Sequence, residues 1–349
     1  MEDPSCRYAA PALFKFGFMP FLLGVRPKRK GMDLIMLMNV VSVGLPVDER
    51  LVIQKNRLQP VNPAENYKRV CIVTGTHGDE LDGQYVCYEL TRRINEAPGL
   101  LTGIVDIYPA LNPLGLDSIN RGIPMFDLDM NRIFPGSENG TAAEYVAAKI
   151  TEDILGADLC VDIHSSSIFL SEVPQVRLSR DTAERLLPYA KLLNTDLIWV
   201  YDSSTVMEAT LAQSLNACGV PTLVAEVGVG MRITREYGRR ITDGILNLLR
   251  VIGVWQGEVP KVSHPVLSAE GGLCLVSAGA SGVFLPGIRL GAAVAAGEVI
   301  GEIVSPSLGR VEQRVTAPCA GRVFSLREYP IVYQGALIAR ILEEKPHEE

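Results

Sequence analysis

Histidine is scarce in this chain: there are four in 349 residues, and two of them stand where chemistry is feasible. His77 is followed three residues later by Glu80, and His164 closes an apolar run. A histidine and a carboxylate at that spacing, held on a stiff strand end, can share one divalent metal; the same pair can equally be a surface turn with a helix-opening glutamate. His164 alone reads as an ordinary core histidine, but beside His77 and Glu80 it becomes the natural third ligand. His, Glu and His form a catalytic zinc set, one Zn2+ per chain, whose fourth position is left for water. Zinc lowers the pKa of that water towards about 7, making hydroxide available at neutral pH. His264 precedes a proline at a domain junction and His347 lies in a polar tail, so neither competes for this role.

Such a centre needs a general base that does not bind the metal. Glu226 ends an apolar run ahead of Gly228 and Gly230 and could serve, or it could be a salt-bridged glutamate beside a loop. Asp79 and Asp162 could fix an imidazole tautomer, or be turn and strand-end residues. Arg121, Asn131 and Arg132 fall in the long stretch 114–140, too long for an idle connector. The arginine fork and the directional amide suit a substrate carboxylate, and one arginine could face a developing oxyanion.

The elements that must hold these groups follow from patterning. Residues 70–80, VCIVTGTHGDE, read as a buried strand running into a tight turn and a helix over about 80–95. Further strands are expected at 103–108, 158–163, 196–201 and 220–225, with helices over about 141–155, from 181, from 205 to 217, and over 234–253. Thr141 and Glu144 form a capping-box signature. Residues 33–60 read as two edge strands. Alternating strands and helices imply an α/β fold, a mixed and mainly parallel sheet with helices on both faces. In such sheets ligands lie beyond the carboxyl ends of the strands. Four of those ends carry polar residues: His77 with Glu80, Asn112, His164 and Glu226.

After Pro260 the pattern changes to glycines and short β-branched runs, and 282–303 is echoed by 321–341 about forty residues on. This resembles the barrel-sandwich fold of biotinyl and lipoyl carrier domains, a small C-terminal all-β unit. Its turn 305–316 has no lysine, which argues against a swinging arm, and a cover or assembly role is expected. The expected organisation is a weakly structured extension over 1–31, a hydrolase domain over 32–260, and the β-unit with its tail over 261–349. Self-association is left open.

The net charge of −7, with no long basic block in the folded part, argues against nucleic acid as the partner. The apolar run 9–25 is interrupted by Lys15, Pro11 and Pro20 and is short for a membrane span. The seven scattered cysteines, without CxxC, suggest buried free thiols in a reducing, cytoplasmic setting.

HGDE at 77–80, DMNRIFPG at 129–136, His164 and AEVG at 225–228 together resemble the succinylglutamate desuccinylase/aspartoacylase family, zinc hydrolases of carboxypeptidase A fold. The resemblance spans roughly 38–342. It implies that His77, Glu80 and His164 bind zinc, and that Glu226 activates water and then protonates the leaving amine. It also implies that Arg121 polarises the scissile carbonyl and that Asn131 and Arg132 hold the substrate carboxylate. Asp79 and Met130 replace the asparagine and leucine usual in the best-known branches. The expected activity is hydrolysis of a small N-acyl amino acid or similar carboxylate-bearing amide. The alternatives are a carboxypeptidase acting on peptides or cell-wall fragments, and a non-catalytic binding protein that retains the fold.

Overall fold

The computed structural model describes residues 35–60, 66–201, 209–269 and 272–343. The extension 1–31, the tail with His347, and the helix start expected at Thr205 and Glu208 lie outside these residues.

Side chains alternate across a strand, and β3 (Arg69–Thr74) uses both faces. Val70 and Ile72 enter one core, while Cys71 and Val73 enter the other. The flanking strands are β1 (Ile35–Gly44), β2 (Arg50–Leu58), β4 (Ile104–Tyr108) and β5 (Leu159–His164). They are followed by β6 (Leu170–Ser179), β7 (Leu197–Tyr201), β8 (Thr222–Gly228) and β9 (Val266–Ala269). β4, β3, β5 and β8 run parallel as the centre of the sheet.

The first core packs the sheet against α1 (Asp82–Glu96) and α6 (Arg235–Ile252). On α6 the residues Ile241, Ile245, Leu248 and Leu249 are buried at helical spacing, each burial contributing about 1.5–3 kcal/mol. The opposite core packs against α3 (Ala142–Ile154), whose Thr141–Glu144 capping box is present at both of its hydrogen bonds. The long loop contains a one-turn helix, α2 (Pro113–Ser118), and α4 (Arg180–Ala190) and α5 (Leu211–Ala217) complete the layers. No helix among the described residues is long and apolar enough to cross a membrane.

The remaining strands are β10 (Leu273–Ser277), β11 (Gly282–Pro286), β12 (Ala293–Val294), β13 (Val299–Ser305) and β14 (Arg310–Thr316), followed by β15 (Gly321–Arg327), β16 (Ile331–Val332) and β17 (Leu337–Glu343). β14, β13, β11 and β16 form an antiparallel sheet of their own. β15, β17 and β10 do not stand apart. They extend the large sheet in the order β8–β6–β15–β17–β10, because Ser325 pairs with Glu172 of β6.

Two departures from the sequence reading concern this region. β6 was not anticipated, since Pro174 inside it removes a ladder donor and masks the alternation. Cys274 and Cys319 form a disulfide, so the thiols are not all free; Cys71, Cys87 and Cys160 are free and buried.

Candidate active site

Beyond β3 the chain turns through residues 75–81 before α1 begins, and the turn is pressed against the long loop. Gly78 N–H donates to Asn120 O at 3.0 Å. A Cβ on Gly78 would lie 2.0 Å from the backbone carbon of Gly115, so only glycine permits this approach. The contact brings His77 and Glu80 beside Arg121. Asn112 is spent on the same architecture: its Oδ1 caps α2 at Gly115 N and its Nδ2 donates to Gly122 O, both at 2.9 Å. It does not line the cavity.

His77, Glu80 and His164 converge. One ligand atom from each lies within 4.8 Å of the other two, and all three residues are buried. Both imidazoles turn Nδ1 towards the same carboxylate, His77 to Oε1 at 2.7 Å and His164 to Oε2 at 2.9 Å. Ser165 N–H donates to Oε2 at 3.1 Å, and Arg121 Nη1 donates to Oε1 at 3.0 Å.

The outer ring nitrogens also meet carboxylates. His77 Nε2 is 3.0 Å from Asp129 Oδ1. His164 Nε2 is 3.2 Å from Asp162 Oδ2, an ion-pair distance without the alignment of a hydrogen bond. Asp162 therefore stands where the sequence suggested, but Asp79 does not reach His77. Its Oδ1 is buried without a hydrogen-bond partner, and its backbone oxygen accepts from Met231 N at 2.6 Å. Buried nitrogen and oxygen donors on one side, with carboxylates behind the imidazoles, fit a divalent cation such as zinc.

The electrostatics fit the same picture. Burial opposes charge on all three residues, and mutual pairing overrides it. His164, with Asp162 and Glu80 against it, is raised well above the usual range, and His77 is raised by Asp129 and Glu80. Glu80 is held well below the usual carboxylate range by His164 and His77. Asp129 is lowered to about 2, its partners His77 and Arg121 outweighing burial. Among the described residues these form a tight cluster of opposite charges around a group that can hold a metal ion.

Glu226 on β8 pairs in register with His164 on β5, so the two side chains share a sheet face. Burial, aided by Glu80 and Glu172, raises its pKa against the pull of Arg177 and His164. Its Oε1 lies 3.2 Å from Arg177 Nη1. Arg177 donates in turn to Glu172 at 2.7 Å and stacks over Trp199, its guanidinium carbon 5.4 Å from the ring centroid. These β6 partners were missed with β6 itself. The polar–apolar alternation from Gln175 to Leu178 was the available signal.

Arg121, Asn131 and Arg132 line the same cavity of about 720 Å³ with His77, Glu80, His164 and Glu226. Asn131 Oδ1 accepts Leu211 N–H at 2.9 Å, tying the loop to α5. Arg132 donates to Asn131 O at 2.7 Å. Tyr201 also lines the cavity, whereas Arg232 is exposed near Glu328 and Tyr333 is exposed. Asp202 and Glu208 lie outside the described residues.

Comparison with known proteins bears on the family and the fold. The family model described as succinylglutamate desuccinylase/aspartoacylase catalytic domain matches residues 66–252. A relative from Halomonas elongata, named N-alpha-acetyl-L-2,4-diaminobutyric acid deacetylase, is 27% identical over 278 residues, 77% of this chain and 80% of its own. A succinylglutamate desuccinylase/aspartoacylase from Rhodobacter sphaeroides shares the fold with a TM-score of 0.73 at 23% identity, over 89% of this chain and 96% of that one. The product-bound ectoine utilization protein EutE (DoeB) from Ruegeria pomeroyi gives 0.75 at 21% identity, over 90% and 100%.

Proposed function

The chain belongs to the succinylglutamate desuccinylase/aspartoacylase family of deacylases, and on that premise we propose that it hydrolyses the amide bond of a small N-acyl amino acid or similar carboxylate-bearing amide. The observation that carries this reading is the convergence of His77, Glu80 and His164 in one cavity with Glu226 on the neighbouring strand. The name of the Halomonas elongata relative, a deacetylase of an N-acetylated amino acid, supports the substrate class.

In this reading His77 Nδ1, His164 Nδ1 and the Glu80 carboxylate hold one Zn2+. When bound, zinc acts as a Lewis acid and acidifies a water towards a pKa of about 7. Asp129 and Asp162 orient the two imidazoles from their Nε2 side. Arg132 takes the substrate carboxylate with its guanidinium fork, and Asn131 Nδ2 adds a directional donor. Arg121, on the Glu80 side, directs its guanidinium at the scissile carbonyl oxygen as negative charge develops there. Glu226 takes a proton from the attacking water on its carboxylate and passes it to the leaving nitrogen. Its raised pKa suits both halves of that transfer.

The test is metal analysis of the purified protein followed by turnover of a panel of N-acyl amino acids. Glu226→Gln should retain the metal and lose roughly a thousandfold or more in kcat, as expected for removal of an acid–base group in a water-activating site. Absence of zinc together with an unimpaired Glu226→Gln enzyme would refute the reading.

Peptide hydrolysis stays as a second reading because the cavity extends past Glu226 to Trp199 and Leu186. Turnover of acyl dipeptides at rates equal to acyl amino acids would favour it.

A further inference from the structure

The structure assigns a positioning role in this site to Arg340, a residue of the C-terminal strands, acting through Glu172 and Arg177 on the carboxylate of Glu226. The inference rests on the functional reading above for what Glu226 does, and on geometry alone for how Glu226 is held.

The geometry is a consequence of register. Ser325 of β15 pairs with Glu172 of β6 on one side and with Arg340 of β17 on the other. Residues opposite one another on successive strands put their side chains on the same face, so Arg340 and Glu172 lie together. The register slip in the β6–β8 pairing between Glu172 and Gln175 then turns those two residues towards each other, and Gln175 Nε2 donates to Glu172 Oε2 at 2.8 Å. Arg177, two residues further along β6, falls on the same face again.

The outcome is a file of alternating charges, Arg340, Glu172, Arg177 and Glu226. Arg340 Nη1 donates to Glu172 Oε1, Arg177 Nη2 donates to Glu172 Oε2 at 2.7 Å, and Arg177 Nη1 pairs with Glu226 Oε1 at 3.2 Å. Glu172 is wholly buried, so its charge must be compensated within the protein. With Arg340 present, Glu172 has two cations and Arg177 can spare one edge for Glu226. Without Arg340, the buried carboxylate of Glu172 and the partly buried one of Glu226 compete for one guanidinium. Arg177 is then drawn to Glu172, and Glu226 Oε1 loses the contact that fixes its direction towards the metal ligands. The C-terminal strands thereby set the proton-transfer geometry of a site whose other groups all come from the hydrolase sheet and its loops.

Four variants test this: Arg340→Met, Arg340→Lys, Glu226→Gln, and the Arg340→Met, Glu226→Gln double variant. Arg340→Met should lower kcat about 10–100-fold, as loss of an orienting partner does, with KM within about twofold and metal content unchanged. Arg340→Lys, which keeps the charge, should recover most of the rate. Added to Glu226→Gln, Arg340→Met should cost less than about twofold more, because its route of action is already gone. A raised KM with unchanged kcat, or a further large loss on the Glu226→Gln background, overturns the assignment. Crystal structures of the wild-type and Arg340→Met proteins decide it independently of turnover: Glu226 should leave Arg177 in the variant, and an intact contact refutes the inference. If the wild-type enzyme turns over no N-acyl amino acid, or Glu226→Gln keeps full rate, the functional reading fails while the structural comparison still stands.

Discussion

His164 Nδ1 lies 2.9 Å from Glu80 Oε2, while the other oxygen of the same carboxylate takes His77 Nδ1 at 2.7 Å. Two imidazoles raised towards their protonated form therefore share one carboxylate held in its charged form. A divalent cation entering among them must displace the Nδ1 protons. Zinc binding should release protons, and its apparent affinity should fall with decreasing pH by up to about tenfold per unit for each proton displaced. Calorimetry in buffers of different ionisation enthalpy measures the release directly. Binding without proton release between pH 6 and 8 would count against these ligands.

The same pairings make the stability of the metal-free protein depend on pH. His77 and His164 have folded-state pKa values above the ordinary 6.5, so the folded state binds more protons than the unfolded one above that value. Their contribution is complete below about pH 6.5 and is lost as pH rises through the raised values. Glu80, lowered from 4.5, contributes above about pH 4.5 and loses that contribution as pH falls through its depressed value. The Tm of chelated protein should decline from neutral pH upward, whereas zinc-loaded protein should hold its Tm there. A chelated protein whose Tm is flat or rising over that range would contradict the assignment.

Asp82 is buried and its carboxyl is pushed up to about 6, burial outweighing hydrogen bonds from Thr234 N–H and the Ser165 hydroxyl. An acid raised from 3.8 opposes folding once ionised, so stability falls as pH rises from about 4 to 6. Asp82→Asn keeps an acceptor for Thr234 and removes the charge. It should add up to about 3 kcal/mol at pH 8, the equivalent of roughly two pKa units, and progressively less towards pH 4. Denaturant titrations at the two pH values decide this, and a gain independent of pH would mean the carboxylate is not the cause.

Arg132→Lys should raise KM about 10-fold or more with a smaller change in kcat, because an ammonium cannot form the paired hydrogen bonds of a guanidinium with a carboxylate. Arg121→Ala should act mainly on kcat, since its partner is charge that develops during reaction. Steady-state kinetics on one good substrate separate the two, and the opposite pattern would exchange their roles.

Gly78→Ala would bring a methyl group to 2.0 Å from the Gly115 backbone carbon. The turn carrying His77 and Glu80 must then part from the loop carrying Arg121. A loss of more than about 2 kcal/mol in stability is expected, with weakened metal binding. Thermal melts and metal titration report both, and a variant that retains wild-type values would show that the close approach is not required.

Much of the framework was legible from local pattern. The alternating apolar residues of β3, the Thr141–Glu144 box and the helical spacing on α6 each depend on neighbours a few residues apart, so the chain itself specifies them. The polar ends of the central strands were visible for the same reason, and the parallel topology then gathers His77, Glu80, His164 and Glu226 at one edge. Which side chain stands behind which could not be read this way. Asp129, and not the adjacent Asp79, meets His77 because the loop folds back over the turn. Asn112, at a strand end like the others, is consumed as a cap. Arg177, Glu172 and Arg340 come together through a register slip and a side-chain hydrogen bond that spans 168 residues of sequence between Glu172 and Arg340. Periodicity records the face a residue presents, but its partner on that face depends on strand order and register, and these are settled only when distant segments pack.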